Sequence, residues 1–142
     1  MAEARQLHLF GGRRQRGVAP PSAPEFLFHC MIADTLRRWA TPGWLWTHLP
    51  MGEERQPITA AKLKRMGVQR GWPDFILLAP HRGSAHFLEL KRRKGGKPTD
   101  EQAAFGYWCG ANGYQHAFVY DYAEAIEVLK RWGAVRAGIA TW

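Results

Sequence analysis

Apolar residues return along this chain with two periods, one helical and one of strand type. Over residues 24–39, Phe28, Met31, Ile32, Leu36 and Trp39 recur at three- and four-residue intervals, the stripe of an amphipathic helix, and Pro42-Gly43 ends it. Trp44-Leu45-Trp46-Thr47-His48-Leu49 reads as a first strand, followed by a Gly/Pro-containing loop through Pro57. Residues 59–66 form a short basic helix stopped by Gly67. Phe75-Ile76-Leu77-Leu78-Ala79 and Phe87-Leu88-Glu89-Leu90 are short apolar strands around the turn-rich residues 80–85. Thr99 opens a long helix that ends near Ala111 at the Asn112-Gly113 stop, residues 114–120 make a fourth strand, and residues 122–132 a last helix. Antiparallel strands followed by a crossover helix and one more strand predict an α/β fold: a mixed four-stranded sheet flanked by helices.

The hairpin carries the chemistry. With residues 80–85 as its loop, Ala79 lies opposite His86, Ile76 opposite Glu89 and Asp74 opposite Lys91. Opposed side chains stand about 5 Å apart and diagonal ones roughly 7–8 Å. Alternation puts Phe87, Glu89 and Lys91 on one face and Leu88 and Leu90 on the other. Asp74, Glu89 and Lys91 therefore gather at one end of one face. Two carboxylates beside an ammonium suit a hard divalent cation and the hydrolysis of a phosphodiester. An outward-facing Glu89 on a half-exposed sheet is the bland alternative. A central strand covered on both faces would instead bury it, and a buried carboxylate needs a cation or a partner.

Length, charge and cysteine content narrow the class. The chain has 142 residues, enough for one domain with a real core, and 46% hydrophobic content excludes a disordered chain. Twenty Lys and Arg against twelve Asp and Glu leave a net charge of +8, which favours a polyanionic partner. Cys30 and Cys109 fall in helix-like segments without metal-ligand spacing, which fits a reduced compartment. No stretch reaches the ~18 apolar residues that span a membrane, and the N-terminus lacks a secretory core, so a cytoplasmic location is expected. Residues 1–21, with Gly11-Gly12-Arg13-Arg14-Gln15-Arg16-Gly17, read as a flexible basic tail ahead of a single domain over residues 22–142.

Pro73-Asp74 followed by Glu89-Leu90-Lys91 resembles the signature of the PD-(D/E)XK nuclease superfamily. The finer order resembles its VRR-NUC branch: Glu25 opening an early helix, Gly71 to Asp74, Phe87 to Lys91, then Gln102 after a basic loop, across roughly residues 24–132. The resemblance implies a restriction-endonuclease-like core and Mg²⁺ or Mn²⁺ held by Asp74, Glu89 and the Leu90 carbonyl. It also implies that Lys91 acts on the attacking water and the phosphate, with Glu25 and Gln102 as further site residues. From the residues alone, Glu25 and Gln102 have another explanation. Ser22-Ala23-Pro24-Glu25 and Thr99-Asp100-Glu101-Gln102 both match the capping box, in which the side chain reaches back to its own N-cap amide.

The expected function is a metal-dependent DNA endonuclease with branched or duplex DNA as its partner; the resemblance further implies structure-directed cleavage of branched or junction DNA by a homodimer that would present two sites to two strands. Arg92, Arg93, Lys94 and Lys97 in the basic loop, with Lys62, Lys64, Arg65 and Arg70 around the short helix, are the candidate phosphate contacts. His48 is read as structural, and His29, His81, His86 and His116 show no metal-ligand spacing. The rival is a nucleic-acid-binding protein that retains the fold without catalysis. Two acids within a basic surface argue against it, since they repel phosphate unless a cation intervenes.

Overall fold

The computed structural model of the chain describes residues 23–50, 56–81, 83–92 and 95–139. The basic tail expected over residues 1–21, the Ser22 half of the first capping box, and Arg93 and Lys94 lie outside those residues. The elements are α1 (Ala23–Trp39), β1 (Leu45–His48), α2 (Pro57–Arg65), β2 (Phe75–Leu78), β3 (Ala85–Leu90), α3 (Asp100–Ala111), β4 (Gln115–Val119) and α4 (Tyr122–Trp132). Local chemistry sets several of these ends. Thr99 caps α3 by accepting from the Gln102 N–H at 3.2 Å, and Asp121 caps α4 by accepting from the Glu124 N–H at 2.8 Å. Gly133, at φ +78°, closes α4 in the left-handed conformation that a side chain would disfavour.

The strands among the described residues form one sheet in the order β1-β2-β3-β4. β1 to β3 are antiparallel, and β4 returns parallel to β3 after α3 has crossed over. This is the mixed, helix-flanked sheet that the periodicity predicts. Alternation along the two inner strands divides their side chains between two covered faces. Phe75, Leu77, Leu88 and Leu90 point to one, where they form the main core with Ile32 and Leu36 of α1 and Ile126 and Leu129 of α4. Each such fully buried side chain stabilises the fold by about 1.5–3 kcal/mol. Phe87 points to the other face, against Phe105 of α3 with ring centroids 5.1 Å apart.

Two expectations change on this frame. The hairpin is paired two residues away from the expected register: Leu78 opposes Ala85, Leu77 opposes His86 and Ile76 opposes Phe87. The cause lies in the turn. Ala85 still belongs to the strand, the Ala79 N–H bonds the Ser84 carbonyl at 3.0 Å, and His81 takes up the reversal at φ 75°. A shift of two preserves which face each side chain takes, because the strand period is two. The α1 stripe also runs differently: Ile32 and Leu36 are buried and Phe28 packs against the core, but Met31 and Trp39 are exposed. The sheet with α4 contacts a narrower sector of the helix than the apolar residues span. Helix α2 buries no residue, so its Lys62, Lys64 and Arg65 ride on a helix that stands out from the core.

Both cysteines are free thiols, with Cys109 buried. Among the described residues no helix is long and apolar enough to cross a membrane.

Candidate active site

Extending the observed register one residue beyond Phe75–Leu88 sets Asp74 level with Glu89, rather than with Lys91. Asp74 ends the turn that leads into β2, and its Oδ2 accepts the Leu90 N–H at 2.7 Å, which ties it across to β3. Glu89, one residue before the end of β3 in a sheet covered on both faces, is only 3% exposed. Its Oε1 lies 3.1 Å from Lys91 Nζ and accepts from Gln102 Nε2 at 2.5 Å. Its Oε2 is buried with no hydrogen-bond partner. Glu25, Gly71, Trp72, Asp74, Glu89, Leu90, Lys91 and Gln102 line one pocket of about 180 Å³. All six residues expected to hold or assist a metal thus border a single cavity.

Burial makes both acids reluctant to ionise. It pushes the Asp74 carboxyl up to about 6, against the Leu90 hydrogen bond and the Lys91 charge, which pull down, while Glu25 adds to the rise. Burial and then the charge of Asp74 push Glu89 up to about 7. Lys91 opposes that rise, as does the Asp74 amide, which lies near the Glu89 carboxyl but outside hydrogen-bonding geometry. Two neighbouring carboxyls whose anionic forms are under-compensated, one with an orphaned oxygen, are a donor set short of positive charge. A divalent cation fits that deficit.

Gln102 completes the capping box and also bonds the Lys91 and Glu89 side chains. Its Oε1 accepts from the Thr99 N–H at 2.9 Å, completing the capping box, and also from Lys91 Nζ at 2.6 Å. Its Nε2 donates to Glu89. A carboxamide has the acceptor and donor capacity for all three bonds. The first turn of α3 is thereby welded to Lys91 and Glu89. Gly71 sets the distance between α3 and the Asp74 turn: at φ +86°, a Cβ there would fall 2.7 Å from the Glu101 Cβ, carbonyl carbon and oxygen. Gly71→Ala should lower stability by about 2–4 kcal/mol, from backbone strain and overpacking together. Urea unfolding checks this, and a loss under 1 kcal/mol would mean that the turn and helix separate easily.

Glu25 stands at the pocket rim, with its Oε2 2.8 Å from Arg92 Nη2. Two histidines that the sequence reading set aside also stand here. His29 Nε2 is 3.9 Å from Asp74 Oδ1, and His48 Nδ1 is 2.8 Å from the Asp74 carbonyl oxygen. Burial first, and then His48, hold the His29 pKa below its usual value. The signals were present: His29 follows Glu25 by one helical turn, and His48 pairs with Phe75, the neighbour of Asp74. Neither shows as a motif, because each meets Asp74 across elements. Among the described residues no group of three or more His, Cys, Asp and Glu side chains is arranged to hold a metal ion. The candidate donors are the two carboxylates.

Glu25, Leu90 and Lys91 also line a larger groove of about 900 Å³, together with Arg92 and Lys97. Lys62, Lys64, Arg65 and Arg70 border neither cavity. They are exposed on α2 and the segment that leads to Gly71.

A solved structure titled "VRR_NUC domain protein" superimposes on this chain with a TM-score of 0.55, at 21% identity, over 74% of this chain and 87% of that one. The chain has the VRR_NUC fold. No family model and no curated protein matches its sequence. The VRR_NUC likeness is therefore one of backbone architecture, carried by the mixed sheet and its flanking helices.

Proposed function

We propose that this chain is a VRR-NUC nuclease, a divalent-cation-dependent endonuclease that hydrolyses phosphodiester bonds in DNA and is directed by the shape of branched or junction DNA. The observation that carries this reading is the orphaned Oε2 of Glu89, buried beside Asp74 in a pocket that also holds Lys91 and Gln102. Nothing in a binding module calls for two destabilised acids under a basic surface.

Asp74 and Glu89, with the Leu90 carbonyl, would hold Mg²⁺ or Mn²⁺; two carboxylates with waters and substrate oxygens are a common donor set for Mg²⁺. When bound, the cation supplies a water of lowered pKa and a positive charge for the phosphate oxygens. Lys91 keeps its ammonium 3.1 Å from Glu89 Oε1, where it stabilises negative charge developing on the phosphate. Gln102 holds that ammonium and Glu89 in fixed relation. Glu25 holds Arg92 at the rim, facing the groove along which the backbone would run.

The test is nicking of supercoiled plasmid with Mg²⁺, Mn²⁺ or EDTA, repeated on linear, single-stranded and branched DNA. Cation-dependent nicking, fastest on branched substrates, is the expected result. DNA binding without cleavage under every cation would establish the non-catalytic rival.

A further inference from the structure

Trp72 is the one large aromatic side chain among the residues lining the small pocket, and it is 41% exposed. Its position is rigid. Gly71 before it is pressed against Glu101 of α3, and Pro73 after it is fully buried. The indole packs against two aromatic rings, tilted to Phe105 with centroids 5.0 Å apart and edge-on to Phe87 at 6.3 Å. Packed against these rings at a tilt and still partly exposed, it offers an apolar aromatic surface beside the proposed phosphodiester site.

The far side of the site is also too apolar for phosphates alone. The larger groove, which shares Glu25, Leu90 and Lys91 with the pocket, carries Leu27, Phe28 and Met31 of α1 on one wall and Tyr120 near the start of α4. Leu27 and Met31 are exposed there. A duplex offers such a groove its charged backbone and keeps its base faces stacked inside. An unpaired strand offers flat bases as well as phosphates, and aromatic side chains stack on them whatever the sequence. A strand that follows the groove past Lys97 and Arg92 and crosses the two acids arrives at Trp72.

We propose that Trp72 stacks on an unpaired base next to the scissile phosphate, so that the substrate is DNA with a single-stranded segment at the point of cleavage. This rests on the reading of the pocket as a nuclease site and adds what the strand must look like there.

The test is binding rather than cleavage, in the Asp74→Asn protein so that the strand stays intact. Fluorescence anisotropy would follow a labelled oligothymidylate, the same strand made abasic, and a duplex of equal length. Trp72→Ala should weaken oligothymidylate binding roughly 5- to 100-fold. On the abasic strand and the duplex the loss should be less than about twofold. Trp72→Phe should keep most of the affinity, while Trp72→Leu, which still covers Phe105 but has no π face, should bind like Trp72→Ala. If Trp72→Ala does not fold, the Phe and Leu variants decide the matter. Leu binding as well as Trp, or an equal loss on the abasic strand, would overturn the proposal. Failure of the nuclease reading would show separately, as absence of nicking by the parent protein.

Discussion

Asp74→Asn is expected to abolish cleavage and to make the metal-free protein harder to unfold. The first half follows from removing an anionic donor, with a rate loss on the order of 10³-fold. The second follows from burial. A carboxyl raised from 3.8 to about 6 on folding is a penalty whenever it is ionised. Its sign is that of an acid with elevated folded pKa. The penalty is fully present above about pH 6, shrinks as the pH falls, and is gone below about pH 4. Asn keeps an oxygen for the Leu90 N–H and carries no charge. The variant should therefore melt about 5 °C above the parent at pH 8 in EDTA, with the gap closing toward pH 4.

The difference between the two proteins is the proper readout. His86 and His116 are both held below 6.5 by burial, so they destabilise both proteins alike as the pH falls, whereas His29, 3.9 Å from Asp74 Oδ1, does so more in the variant, which lacks that carboxylate. Saturating Mn²⁺ should reverse the order of melting, because only the parent has the charge to bind it tightly. Glu89→Gln should lose cleavage equally but gain less stability, because Lys91 at 3.1 Å would lose its counter-charge. A variant that cleaves within a few fold of the parent removes that acid from the site.

Lys91→Ala should lower the cleavage rate by 10²- to 10⁴-fold, with two separable components. Without its ammonium, Glu89 loses a charge that opposes its elevated pKa, so metal binding should weaken near neutral pH. That component is recoverable: raising the pH to about 9 ionises Glu89 and restores Mn²⁺ affinity. The loss of charge stabilisation at the phosphate is not recoverable by pH. Isothermal titration with Mn²⁺ at pH 7 and 9, beside cleavage at both, distinguishes them. Turnover that returns with affinity would reduce Lys91 to a partner of Glu89 alone.

The architecture was legible because the strands are short apolar runs and the helix ends carry explicit signals, such as Pro42-Gly43, Thr99 and Asn112-Gly113. The hairpin register was not, because composition marks residues 80–85 as a turn without saying where pairing resumes. Only the hydrogen bond from Ala79 to Ser84 fixes that. The site survived the error because face membership depends on parity alone. Gln102 was legible as a cap and, by resemblance, as a site residue. Its combined role is a matter of three hydrogen bonds in space, which spacing does not encode. His29 and His48 approach Asp74 through packing between elements, which leaves no local pattern to read, and Trp72, although it lies within the Gly71–Asp74 motif, meets Phe105 and Phe87 only in space.

Parity has a consequence for how the chain finds its fold. If β2 and β3 paired one residue out of step, one strand would turn its faces over relative to the other. An inverted β3 would drive Glu89 into the layer of Ile32, Leu36, Ile126 and Leu129, where no ammonium or carboxamide waits, and would bring Leu88 and Leu90 out toward α3. The in-step hairpin keeps the acid beside Lys91 and Gln102. The residue least comfortable in the finished sheet thus makes the neighbouring misalignments less comfortable still, and a Glu89→Leu chain would lose that guidance along with its chemistry.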